Sequence, residues 1–252
     1  MKHGPGHFFD IESISQNYEL VIADFDRINK IIRCKRDKFD RVIAGNMLHA
    51  YNHINNLLAA APEKAILSWQ DMLELNIVVH LGIQSETREE YYGFVRHTEE
   101  KFGKQLPSLT KWYDRHEHNE DDPYKIAAGL YVRVLSEPQL FIEGNHRTGS
   151  LIANYYLLMK GEAPFVLTPQ NAVEFFDLAS DVKFQKQDIG SKFKRAIGWH
   201  DELARMRAFL EANVRPFTTD AMPKWTPPPQ ERPEDKHILK MLHRHKTVTK
   251  LL

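Results

Sequence analysis

The sequence is short of several things, and each shortage excludes a class of protein. Neither sign of charge is in excess, with 34 Lys plus Arg against 34 Asp plus Glu in 252 residues. No global field therefore recruits nucleic acid or an anionic membrane, and a polyanion would need a local patch. Cysteine is reduced to Cys34 alone. That excludes an intrachain disulfide framework, fits a reducing compartment, and leaves Cys34 to be read first as a small buried hydrophobe. No apolar run approaches the roughly 18 residues of a membrane span, and the start, MKHGPGHFFD, lacks the apolar block of a signal peptide. The expectation is a soluble cytoplasmic protein with no membrane partner, although secretion by a signal-less route would look the same. A Gly-rich P-loop, a redox Cys pair and a nucleophile elbow are also missing.

What the sequence does contain is helical periodicity. Its length suits one main domain with appended elements. ISQNYELVIADFDRINKII and FDRVIAGNMLHAYNHINNLLAA space apolar residues three or four apart, as in Val42, Met47, Tyr51, Ile54 and Leu58. SWQDMLELNIVVHLG adds a third helix, with Ser68 as N-cap and Gly82 at its end. Between Ser85 and Pro107 the pattern weakens, and YYGFVRHTEEKFG mixes β-favouring aromatics with Gly93 and Gly103. That stretch reads as an irregular loop or a short hairpin. DDPYKIAAGLYVRVLS has Asp122 as N-cap, Pro123 at the first helical position and an almost wholly apolar body, the mark of a central helix. A second central helix runs through Leu151, Tyr155 and Leu158 to Gly161, Thr168 and Pro169 start another, and WHDELARMRAFLEANV forms a late amphipathic one. The fold class is mainly α, with at most one hairpin.

Composition divides the chain. Residues 1–64 are expected to be N-terminal helices packed on a core domain of residues 65–215. Six prolines between Pro216 and Pro233 make 216–235 an extended connector, and 236–252 a locally basic C-terminal helix or tail. That tail reads first as a helix packed back on the body with a solvated cationic face, so a nucleic-acid partner is not expected.

The chemistry concentrates between the two central helices, in QLFIEGNHRTGS. A glycine-containing loop that feeds a helix beside an arginine is an anion cradle, because the first backbone N–H groups of a helix lack partners there. These residues, with DDPYKIAAGLYVRVLSEP before them and LIANYYLLMKGEAPFVLT after, resemble the signature of the Fic (Fido) family, His-x-Phe-x-[Asp/Glu]-Gly-Asn-Gly-Arg-x-x-Arg, over roughly residues 65 to 200. The resemblance implies a helical bundle with a β-hairpin flap over the site. It also implies transfer of AMP from ATP, with Mg²⁺, to a hydroxyl of a target protein; Doc-type relatives transfer phosphate instead.

Carried onto this chain, the resemblance places Phe141 as the aromatic that pins the loop and Glu143 as the Mg²⁺ carboxylate, a suitable hard ligand. Gly144 and Asn145 fall on the phosphate-cradling pair, and Arg147 on the first motif arginine, whose fork can bridge phosphate oxygens. Three positions depart. Gln139 stands where the family has the histidine base, and an amide cannot accept a proton near neutral pH. His146 replaces the second glycine and would contact phosphate or serve as a displaced base. Ser150 replaces the last arginine, the family's contact to the outer phosphate and to an inhibitory glutamate. Of the inhibitory motif [Ser/Thr]-x-x-x-Glu-[Gly/Asn] only Ser15 and Glu19 are approached, and Leu20 breaks it. The resemblance therefore implies a transferase weakened, altered or lost, or else a non-catalytic module that binds a nucleotide or a regulatory protein partner.

Weaker patterns are His116 with His118 and His243 with His245, each lacking a third ligand in a rigid element and each read as solvated loop. Trp69, Trp112, Trp199 and Trp225 are scattered and read as packing anchors.

Overall fold

The structure, a computed structural model, describes residues 7–60, 66–118, 122–184, 192–214, 218–219 and 221–227. Among these residues the chain is mainly α, with nine helices and one two-stranded pairing. The first helix, α1 (Ile11–Ile31), is capped by Asp10, whose side chain accepts from the Ser13 backbone N–H. It buries Ile11, Ile14, Tyr18, Val21, Phe25 and Ile28, one stripe at three- and four-residue steps. After the segment 32–40 come α2 (Arg41–Ala60) and α3 (Trp69–Leu81). Ser68 caps α3, and Gly82 closes it with φ 74°, a left-handed value that costs glycine least.

The center is a helix pair. Helix α6 (Pro123–Leu135), capped by Asp122 with proline at its first turn, lies along α7 (Asn145–Met159). Both are buried nearly throughout: Ala127, Ala128, Leu130, Leu151 and Leu157 are fully inaccessible. Around the pair lie α3, α5 (Tyr92–His118), α8 (Ala172–Phe184) and α9 (Lys192–Ala212), while α1 packs on α2 and α8, and α2 on α3 and α7. Strand β1 (Phe8–Phe9) pairs antiparallel with β2 (Thr218–Thr219), tying the start of the described chain to the segment after α9. The Asn55 amide extends this pairing, accepting from the Phe9 N–H at 2.8 Å and donating to its carbonyl at 3.0 Å.

Several expectations need correction. The stretch read as a loop or hairpin flap is helical: α4 (Ser85–Glu90) leads into α5, which runs through Gly93, Gly103 and Pro107. Tyr91, Phe94, Thr98, Phe102, Leu109 and Tyr113 are buried at helical spacing. Both glycines sit where an added Cβ would meet nothing within 4 Å, so they mark the outer face and break no packing. Helix α8 begins at Ala172, three residues beyond Pro169, because Thr168 and Asn171 first close a turn on each other. Cys34 is half-buried. Trp69 is 50% exposed and anchors nothing, whereas Trp225 packs edge-on against His49 with ring centroids 5.4 Å apart. The basic tail and residues 228–235 of the proline-rich connector lie outside the described residues, as do His243, His245 and the side chains of His118 and Trp199.

Candidate functional site

The loop between α6 and α7 is built by its own amides. Asn145 folds back on the loop: its Oδ1 accepts from the Phe141 N–H at 2.8 Å, and its Nδ2 donates to the Phe141 carbonyl at 3.0 Å and to Gln139 Oε1 at 3.3 Å. Gln139 in turn donates through Nε2 to the Leu135 carbonyl at the end of α6, 3.1 Å away. Position 139 thus holds a side chain that clamps loop to helix. Phe141 is fully buried and stacks on Phe102 of α5 with centroids 5.1 Å apart and planes 2° from parallel.

A third amide, Asn76 of α3, fixes the far end of the loop by donating at 2.9 Å to both the Glu143 carbonyl and Thr148 Oγ1. Gly144 then takes φ 74° as the N-cap of α7 and contributes no side-chain cap. With Asn145 turned inward, the first backbone N–H groups of α7 are left to whatever enters the space before them.

That space is a cavity of about 520 Å³. Glu143, Gly144, Asn145, His146 and Arg147 line it from the loop and helix start, as does Gln139. Lys35, Arg36 and Asp37 line it from the segment between α1 and α2, His80 from α3, and Lys183 from α8. Four cations face two carboxylates, and Phe25, Phe39 and Phe176 add an aromatic wall. Ser150 is the predicted site residue that the structure places elsewhere: it is 8% exposed and its hydroxyl donates to the Arg147 carbonyl at 2.8 Å.

Electrostatics decide what these groups can do. The Arg147 guanidinium donates to the Val79 carbonyl at 2.7 Å, and burial pulls its pKa down to about 10, with Glu143 and Asp40 opposing. It stays charged at neutral pH. His146 has Nε2 at 3.1 Å from an Arg36 guanidinium nitrogen and Nδ1 at 3.3 Å from the Tyr131 hydroxyl. An arginine only donates, so Nε2 must accept and the remaining ring proton sits on Nδ1. Burial, reinforced by Arg36, Lys183 and Arg147, holds this imidazole well below its ordinary range, so it is neutral and its one basic nitrogen is engaged.

Elsewhere, a cavity of about 560 Å³ lies between α8 and α9 beside Arg33. Its two arginines are already paired: Arg33 with Asp181 at 2.9 Å and Asp177 at 3.5 Å, and Arg205 with Asp181 at 3.0 Å. Among the described residues no group of three or more His, Cys, Asp or Glu side chains could hold a metal ion, and His116 lies against the Trp112 ring at 4.6 Å. No helix among them is long and apolar enough to cross a membrane.

Sequence reasoning passed over Arg36, Asn76, His80 and Lys183. They come from three other parts of the chain, and only folding brings them to the loop.

No family model and no curated protein matches the sequence. Among solved structures the chain is similar to a Fic domain-containing signaling protein from Bacteroides thetaiotaomicron, at 14% identity over 81% of this chain and 93% of that one, with a TM-score of 0.49. A likeness of that strength carries nothing about activity.

Proposed function

We propose that the protein is a Fic-like helical module whose loop cavity binds the phosphate groups of a nucleotide without efficient transfer. The observation that carries this reading is that neither residue 139 nor residue 146 offers a free proton acceptor beside the anion cradle. Gln139 is an amide held between Leu135 and Asn145, and His146 is a neutral imidazole whose basic nitrogen already accepts from Arg36. Meanwhile the uncapped start of α7, Arg147 and the surrounding cations favour an anion. A positioned general base supplies about 10²–10⁴ in rate, and that is the contribution missing here.

One carboxylate from the loop suits Mg²⁺ only when the ligand's phosphate oxygens fill the other positions. Glu143 would hold such an ion, which would supply charge neutralisation between phosphates. A regulatory role follows from binding without turnover, with a protein partner reading the occupied state. The second reading, a slow transferase, is kept by Glu143 and Arg147 facing the same cavity.

Calorimetric titration of the full chain with ATP and ADP, with and without Mg²⁺, tests binding. Incubation with ATP labelled at the α-phosphate tests transfer to added protein or to the chain itself. Binding without incorporation is expected, and Gln139→His should raise incorporation by less than the 10²–10⁴ of a well-placed base, roughly tenfold at most. Steady AMP transfer by the unaltered protein, indifferent to the residue at 139, would sink the non-catalytic reading.

A further inference from the structure

Arg36 is a half-buried cation with no ion pair among the described residues. Its guanidinium donates to the Phe176 carbonyl at 2.9 Å, to Ser180 Oγ at 2.7 Å and to His146 Nε2 at 3.1 Å, all of them neutral acceptors. Its Nε is buried and makes no hydrogen bond. Among the described residues no carboxylate ion-pairs with it, and Asp177, whose charge acts on it, is engaged by Arg33. Arg147, in the same cavity, is likewise half-buried, and its guanidinium donates to a carbonyl. Two partly desolvated guanidinium groups in one cavity are costly unless an anion meets them.

We propose that Arg36, supplied by the segment between α1 and α2, is a second anion-binding residue, and that with Arg147 it selects a diphosphate group over a single phosphate. His146 then has a specific task. A glycine there would leave Arg36 NH1 without an acceptor, and a second cation would repel it. A neutral imidazole holds the fork in place and leaves its charge unspent, so His146 is a positioning residue. The inference rests on the phosphate-binding reading and adds a residue outside the motif, from the segment between α1 and α2.

The chemistry required is a diphosphate, carried by a nucleoside di- or triphosphate or present as inorganic pyrophosphate. The test uses the full chain and calorimetric affinities for pyrophosphate, ADP, AMP and inorganic phosphate. In Arg36→Gln, affinity for pyrophosphate and ADP should fall about 10- to 100-fold, the range for one charge-assisted fork, while that for AMP and phosphate changes less than about threefold. Arg36→Lys, which keeps the charge and loses the fork, should fall between, and His146→Ala should show a smaller loss of the same selectivity. Without ligand, Arg36→Gln should melt no lower than the parent, since a partly desolvated charge with no ion pair has been removed.

If Arg36→Gln binds pyrophosphate and ADP as the parent does while Arg147→Gln does not, the inference is wrong and the phosphate site stands. An equal loss for mono- and diphosphates would make Arg36 merely structural and would also overturn it. A parent protein that binds none of the four ligands would overturn both. ADP binding tighter than pyrophosphate assigns the nucleoside form, equal binding the inorganic one, and either supports the selection by Arg36.

Discussion

Replacing Gly144 by alanine should damage the site and the fold together, and the coordinates give the size of the effect. Residue 144 has φ 74°, where an L-residue with a Cβ costs about 1–2 kcal/mol more than glycine. The new methyl would also lie 2.4 Å from His80 Nε2, 2.8 Å from His80 Cδ2 and 3.1 Å from Asn76 Nδ2. Real carbon atoms do not approach that closely, so α3 or the loop must move. His80 is 6% exposed and can turn only toward the cavity it lines, while Asn76 is fully buried with no such escape. If Asn76 shifts, its bonds to the Glu143 carbonyl and Thr148 weaken, at about 1 kcal/mol each. Together these make about 3 kcal/mol or more. Urea unfolding should show a lower midpoint at unchanged slope, and calorimetry a weakened affinity for ADP. A loss under about 1 kcal/mol with ADP affinity intact would refute the close approach of α3 to the helix start.

Two further outcomes follow from other contacts. Gly129→Ala in α6 would put a methyl 2.1 Å from Trp112 Cη2 and should cost about 1–3 kcal/mol by overpacking, whereas Gly93→Ala in α5, with nothing within 4 Å, should gain about 0.5–1 kcal/mol; denaturant midpoints moving in the same direction would contradict this. On acidification the unfolded chain takes up a proton on His146 near pH 6.5 while the folded chain, whose imidazole is held well below that, does not. Stability should therefore be complete above that pH and fall below it, by at most about 1.4 kcal/mol per pH unit for each such histidine, with His49, lowered by burial, acting in the same direction. His146→Gln should flatten this acid limb, as read by chemical unfolding at several pH values, and an unchanged limb would remove His146 from its cause.

The elements legible in the sequence are those whose evidence is local. The stripe from Ile11 to Ile28, the Asp122 cap and the apolar run of α6 each state their own structure within a few turns. Helix α5 was not legible, since the residues that break helices on average, Gly93, Gly103 and Pro107, all stand on its exposed face, where tertiary burial of Phe94 and Phe102 outweighs propensity. At the site, Gly144 and Arg147 could be read from the motif. The use of Asn145 and Gln139 as loop clamps could not, because an amide serves an anion and a carbonyl equally well on paper. Arg36 and Asn76 reach the loop from 110 and 67 positions away, a distance over which no periodicity speaks. The β1 and β2 pairing involves two residues on each side, too few for an alternating pattern.

The tether between the α1–α2 segment and α8 has a consequence for the order of assembly. The Arg33 backbone N–H bonds Asp177, and Arg36 bonds Ser180, across 144 positions in each case. Closing so long a loop costs little more free energy than closing one half its length, but it delays the contact, because every nearer partner is met first. During synthesis the loop and its motif leave the ribosome well before α8 does. A nascent chain at that stage carries Gly144 and Arg147 while Arg36 has nothing on α8 to hold it. The cation-lined cavity is consequently incomplete until α8 has docked against the segment between α1 and α2.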